Sequence, residues 1–378
     1  MAGEVYINRL SKFFPNDPIS NDDMESWLGL IYNTESRAKA LVLRRNGINN
    51  RYYALDKNGK ATHSNTQITA EAIKGIFDDD FTLQDMELLA CGTTSPDQLL
   101  PSHASMVHGA LKGNPIEVIS PSGSCCSGMS AMKYAYLSVK SGSTNNSICS
   151  GSEIISQWMV SKLFNKEAEK LKELNERPIV AFEKEFLRWM LSDGAGAALL
   201  EKEPRGDISL RIDWIDILSF ANNLDACMYA GAGKLENGEL KGWKSYEPDE
   251  WLSESVFSMQ QDVKLLDKNI TAVGVQMLKD ITVSKNFDVN SIDHFLPHIS
   301  SEYFRQQIKD GLAVEGISIS SEKWFTNLHK VGNVGSASIY LMLEELVHSG
   351  DLKKGQRILL MVPESARFTY AYALLTVC

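Results

Sequence analysis

Two stretches of this chain share one form. Ser127-Gly-Met-Ser-Ala runs on to Ser141-Gly142, and Gly335-Ser-Ala-Ser, 208 positions later, runs on to Ser349-Gly350. Each opens on a small-residue turn, continues with a helical period and stops at Ser-Gly. A second pair lies at nearly the same spacing: Met86-Glu87 leading into Gly92, and Ile292-Asp293 leading into His298, 206 positions on. Two matched units at one offset predict two halves of like architecture. Strand-like runs alternate with helical periods in both, so each half is expected to be α/β with a partly parallel sheet. The division is set near residue 204, giving halves 1–204 and 205–378. Superposing them puts Cys126 opposite Val334, next to Asn333, and His298 opposite the loop at Gly92. Packing about a pseudo-two-fold axis would bring both helix starts and both strand-end loops to one central site.

The first of these units carries a cysteine pair. A short apolar run ends at Ile119, the loop Ser120-Pro-Ser-Gly-Ser follows, then Cys125 and Cys126, and a helical pattern from about Ser127. The first turn of a helix has unpaired N–H groups and the positive end of the macrodipole. That field favours a thiolate, and the same N–H groups can hold an oxyanion. The competing reading is a pair of buried structural cysteines. Other helical periods lie at Thr66–Phe77, His103–Leu111, Val263–Val283 and Glu302–Leu312; strands are expected at 4–8, 86–91, 147–153, 208–217, 292–296, 357–362 and 370–377. Residues 222–260 read as loop-rich. Residues 160–189 differ in character: the charged run from Lys162 to Arg177 predicts an amphipathic helix with i,i+4 ion pairs, an exposed insertion. Asp193-Gly-Ala-Gly enters an apolar strand with no Lys-Ser/Thr behind it, which argues against a phosphate loop.

Composition narrows the function. With 378 residues, 43% hydrophobic and 23% charged, the chain has an ordinary globular composition. A net charge of -10 argues against nucleic-acid binding. The six cysteines do not form a disulfide framework, and their spacings fit no metal site, so neither metal nor cofactor is expected. A reducing, cytoplasmic setting follows. No signal peptide is evident, and no uncharged apolar run reaches the roughly 18 residues of a membrane span.

The cysteine in Gly-Ser-Cys-Cys126-Ser-Gly, Pro-His298 at a strand end, and Val-Gly-Asn333-Val-Gly-Ser-Ala-Ser resemble, in that order, the Cys–His–Asn triad of the thiolase fold. More closely, the chain resembles β-ketoacyl-acyl-carrier-protein synthase III. Arg45-Asn46-Gly47-Ile48 followed by Arg51, and Asp193-Gly194-Ala195-Gly196-Ala197, agree with it. The resemblance implies a layered αβαβα core and an acyltransferase in which Cys126 takes an acyl group from a thioester. His298 and Asn333 would stabilise the enolate of the second substrate. It further implies acyl carrier protein or CoA thioesters as partners, docking on Arg44, Arg45, Arg51, Arg305 and Lys309, and a homodimer with Thr93–Pro101 near the partner's tunnel. Cys126 is preferred to Cys125 because it directly precedes Ser127-Gly128. The chain departs from the family after His298, where Ile-Ser-Ser-Glu follows, and before the last strand. There Val362-Pro-Glu364-Ser-Ala-Arg367-Phe stands where the family has a glycine-rich loop. Glu364 is expected either to pair with Arg367 or to reach the site as a base. These departures resemble the secondary-metabolite synthases that make the cyclohexanedione precursor of dialkylresorcinols and flexirubin-type pigments. In those enzymes the acceptor is a β-ketoacyl thioester. The alternatives within the fold are a malonyl-using synthase of fatty-acid initiation and an ester-forming acyltransferase.

Overall fold

A computed structural model describes residues 3–33, 35–36, 39–163 and 187–378. Most of the insertion expected at 160–189 lies outside the described residues. Among the described residues, nine strands make one mixed sheet: β1 Tyr6–Phe13, β2 Leu88–Thr93, β3 Glu117–Ile119, β4 Asn146–Glu153, β5 Gly194–Glu201, β6 Leu210–Ser219, β7 His294–Pro297, β8 Arg357–Glu364 and β9 Thr369–Val377. Their spatial order is β7-β8-β9-β6-β1-β5-β4-β2-β3.

The duplication is visible in the pairing. β2 runs parallel to β4, β4 antiparallel to β5, and β5 antiparallel to β1. In the other half β7 runs parallel to β8, β8 antiparallel to β9, and β9 antiparallel to β6. The halves meet where Tyr6 and Ile7 of β1 pair with Arg211 and Leu210 of β6.

The longer described helices cover this sheet: α1 Asn65–Lys74, α2 His103–Leu111, α3 Cys125–Ser141, α4 Val263–Ser284, α5 Tyr303–Val314 and α6 Ser338–Val347. Successive strand residues face opposite ways. Leu88 and Ala90 of β2 join Ile358 and Leu360 of β8 in one core, which also takes Met129 and Met132 of α3 and Ile339 and Leu343 of α6. Leu89 and Cys91 face the other way, onto α1 and α2, with Ile68 and Val107. Leu359 and Met361 face a third core with Leu278 of α4 and Ile308 of α5. The layers are therefore helix, sheet, central helix pair, sheet, helix, an αβαβα stack.

The two central helices start very close together. A Cβ on Gly128 or on Gly151 would overlap the carbonyl oxygen of Ser336, so only glycine admits this approach. Tyr340 of α6 then donates its hydroxyl to the Gly128 carbonyl at 2.8 Å. Residues 222–260 contain a small hairpin, Ala232–Lys234 with Leu240–Gly242, and an aromatic cluster of Trp243, Trp251 and Phe257. The helix expected from about Ser127 begins at Cys125. That shift of two residues has consequences at the site.

Candidate active site

A pocket opens where α3, the end of β7 and the turn before α6 converge. Its lining includes Cys125, His298 and Asn333, together with Thr94, Glu153 and Gly335. Much of the remaining wall is apolar, including Ile155, Met190, Leu266, Ile270, Phe304 and Met361.

Cys125 is the first residue of α3 and half-buried. The sequence reasoning chose Cys126; Cys125 lines the pocket wall, and Cys126 stands next to it in the central core. With the helix beginning at Cys125, the Cys126 side chain points back into the central core. Its thiol lies 3.2 Å from the Val362 carbonyl and 3.5 Å from that of Thr369. Cys126 has the environment of a structural cysteine. Burial, and next the charge of Glu364, raise the Cys125 thiol to about 12. The same two causes raise Cys126 as well.

His298 follows the last residue of β7, and its N–H donates to the Met361 carbonyl of β8 at 2.7 Å. It is buried, and desolvation lowers its imidazole to about 4, so at neutral pH the ring is uncharged. Asn333 is held at both backbone groups: its N–H donates to Met190 and its carbonyl accepts from Ser192. Its Oδ1 accepts from the Gly335 N–H at 2.9 Å, which leaves the amide Nδ2 as the donor end of this side chain. A neutral imidazole and a carboxamide are two hydrogen-bond donors without net charge, suited to a developing oxyanion in a dry site.

Two carboxylates flank the site, and the sequence reasoning missed the first of them. Glu153 closes β4. It accepts from the Thr94 N–H and hydroxyl, the Ser95 hydroxyl at 2.6 Å and the Ser336 N–H at 3.2 Å. Burial raises its pKa. The sequence signal was weak: one acidic residue ending an otherwise small-residue strand. Glu364 ends β8 and does not pair with Arg367, whose guanidinium donates to the Leu224 carbonyl. Its Oε2 instead accepts the N–H groups of Ser124 and Cys126, both at 2.9 Å. Burial raises the Glu364 pKa, and these two N–H groups oppose the rise.

The expected docking residues separate. Arg44 and Arg45 are exposed, and Arg45 borders a second cavity beside the main pocket, with Lys264, Tyr303 and Phe304. Arg305 is held by Glu302 and lies over the Trp324 ring, and Lys309 reaches the Ser321 hydroxyl. Arg51 is fully buried, donating to Asn21 Oδ1 and the Trp189 carbonyl. It is a structural residue and cannot meet a docking protein. No described helix is long and apolar enough to cross a membrane.

Comparison with known proteins agrees with this architecture. Residues 283–376 match the C-terminal domain of 3-oxoacyl-[acyl-carrier-protein] synthase III. The chain is 24% identical to β-ketoacyl-[acyl-carrier-protein] synthase III of Clostridium perfringens, over 96% of each sequence. Among solved structures it is similar to AbyA1, a tetronic acid condensing enzyme, with a TM-score of 0.74 at 16% identity, covering 98% of this chain and 99% of that one. It is also similar to Xanthomonas campestris OleA bound to lauric acid and lauroyl-CoA, with a TM-score of 0.71 at 20% identity over the whole of both chains. The chain is thus an acyltransferase-type condensing enzyme on a thiolase-like fold, akin to 3-oxoacyl-[acyl-carrier-protein] synthase III.

Proposed function

We propose that this enzyme loads an acyl group onto Cys125 and joins it to a β-ketoacyl thioester in a Claisen-type condensation, the first C–C bond on the way to a cyclohexanedione precursor of the dialkylresorcinol type. The observation that carries the reading is the meeting of Cys125, His298 and Asn333 in one apolar, largely buried pocket. In the first step Cys125 Sγ bonds to the thioester carbonyl carbon. The carbon–sulfur bond to the carrier breaks, and the carrier leaves as its thiol with the cysteine proton. This splits one difficult reaction into acylation and condensation. In the second step His298 Nε2 and Asn333 Nδ2 donate to the carbonyl oxygen of the acceptor, whose α-carbon gives up its proton and bonds to the acyl–Cys125 carbonyl carbon; the carbon–sulfur bond to Cys125 breaks, and the sulfur takes up that proton and is again a thiol. A β-ketoacyl thioester has an acidic α-hydrogen, so no decarboxylation is needed to make the nucleophile.

The choice of a β-ketoacyl acceptor rests on the chain's departures around Glu364. The carriers are acyl carrier protein or CoA thioesters, approaching past Arg45. The enzyme works as a homodimer, with the 93–101 loop at the partner's pocket. The test is product analysis by mass spectrometry with an acyl thioester offered beside either a β-ketoacyl or a malonyl thioester. Condensation only with malonyl would replace this reading by a fatty-acid-initiating synthase. Transfer of the acyl group to an alcohol alone would replace it by an ester-forming enzyme.

A further inference from the structure

The start of α3 is capped in an unusual way. Ser124 stands at the N-cap, yet its side chain makes no capping bond. The cap comes from the other half of the molecule, 240 positions along the chain: Glu364 Oε2 takes the N–H groups on either side of Cys125. Gly123, at φ +152°, gives the loop a backbone path that side-chain-bearing residues rarely adopt. Glu364 does not line the pocket, whereas its neighbours Pro363 and Ser365 do. It sits behind the reactive thiol rather than beside the substrate.

We propose that Glu364 is a positioning residue for Cys125: its carboxylate fixes the Ser124–Cys126 turn so that one thiol enters the pocket and the next turns away, and its charge offsets the helix field at that thiol. The identification of Cys125 as nucleophile underlies the catalytic meaning of this proposal, but not its geometry. An anion docked at a helix start is itself stabilised there. The N–H groups of Ser124 and Cys126 are then unavailable to an oxyanion, and the positive end of α3 faces a carboxylate instead of sulfur. The other titratable groups around Cys125 act in the same sense or are uncharged. Glu153 approaches from β4 and adds a second negative charge, Cys126 is a buried thiol, and the His298 ring across the pocket is neutral. The resting enzyme therefore holds a protonated, weakly nucleophilic cysteine, protected from adventitious oxidation and alkylation, which reacts when a bound thioester is presented to it.

The test is site-resolved alkylation of the full-length protein by iodoacetamide at pH 7, 8 and 9, read by peptide mass spectrometry, for the wild type and E364Q. A glutamine keeps an oxygen for the two N–H groups and removes the charge. Well below the midpoint of a thiol near 12 the rate follows its thiolate fraction, so the expected result is alkylation of Cys125 about tenfold faster at each pH, with no change at the distant Cys378. An unchanged rate overturns the proposal. So does a faster rate accompanied by faster amide hydrogen exchange at residues 120–127, which would mean that the substitution only loosened the turn. If E364Q does not fold, E364D, which withdraws the charge by one methylene, is expected to raise the rate by a smaller factor. No change in E364D then overturns it. An acyl label on Cys126 would sink the nucleophile assignment while leaving these alkylation results to stand or fall separately.

Discussion

Adjacent cysteines in opposite environments make a sharp prediction. Cys126 is 2% exposed and its thiol meets two backbone carbonyls. Replacing it with alanine removes one buried sulfur, worth about 0.8 kcal/mol if counted as a methylene. The cavity left behind adds a similar amount, so the total is about 1–2 kcal/mol. For 378 residues the unfolding entropy is on the order of 0.8 kcal/mol per degree, which makes the expected fall in Tm about 1–3 °C. Acyl transfer by C126A should persist. Cys125 is half-buried and borders the pocket, so C125A should leave Tm within about 1 °C, as expected for a site that is already partly open. It should abolish acylation. The assay is incubation with an acyl thioester, intact-mass detection of the adduct and peptide mapping, alongside calorimetry. An adduct on C125A together with none on a folded C126A would refute the reasoning.

Four further outcomes are expected. H298A should still acylate but should lose about 10²–10³ in condensation rate, measured by single-turnover product formation, since it removes one donor from the enolate oxygen. Loss of acyl-enzyme formation in a folded H298A would overturn this division of roles. His103 is buried, with Nε2 shared between Thr69 and Ser152, and burial lowers it to about 4. The unfolded chain, with a histidine near 6.5, therefore binds more protons between pH 6.5 and 4, and stability falls as pH falls through that window. The contribution is on the order of 3 kcal/mol, and H103Q should show a shallower loss of stability in urea titrations at pH 6.5, 5.5 and 4.5. An equally steep loss in H103Q would count against this. R45A should raise KM for a carrier thioester a few-fold in a salt-dependent way. R51A should leave KM alone and destabilise the fold by about 2–4 kcal/mol through its lost buried contacts. Equal KM effects from both would restore Arg51 to a docking role.

The architecture was legible in the sequence because it is written twice. The repeated turn–helix–Ser-Gly units and the apolar runs before them mark the strands and central helices now seen in both halves. His103–Leu111 forms the helix that its period predicts. Thr66–Phe77 becomes Asn65–Lys74: Ser64 and Gln67 close a capping box at its start, and Gly75 stands at its end. His298 and Asn333 were singled out by the resemblance, and each stands at a strand or helix boundary in the fold. Which of Cys125 and Cys126 would line the pocket and which the core was not legible. Neighbouring residues at a helix start differ by about 100° in direction, so an error of two residues in the boundary exchanges wall for core. Glu364 was visible as a departure, but its partner was not. The N–H groups it takes lie 240 and 238 positions away, and local spacing holds no information about a backbone donor in the other half. Arg51 failed for a related reason, because a turn-prone basic run reads as surface until the fold buries one member of it.

The shared central layer has a consequence for the chain as a divisible object. α3 and α6 form a single core with strands of both halves, so neither half on its own would have a closed interior. A polypeptide cut in the linker between β5 and β6 should give two fragments that are insoluble when made apart and that recover one folded, acylation-competent particle when made together. Soluble, independently folded fragments would mean that each repeat can stand alone. Otherwise the motif is viable only as a couple, and fusing its two copies into one chain secures a partnership that the single unit would have had to find by collision.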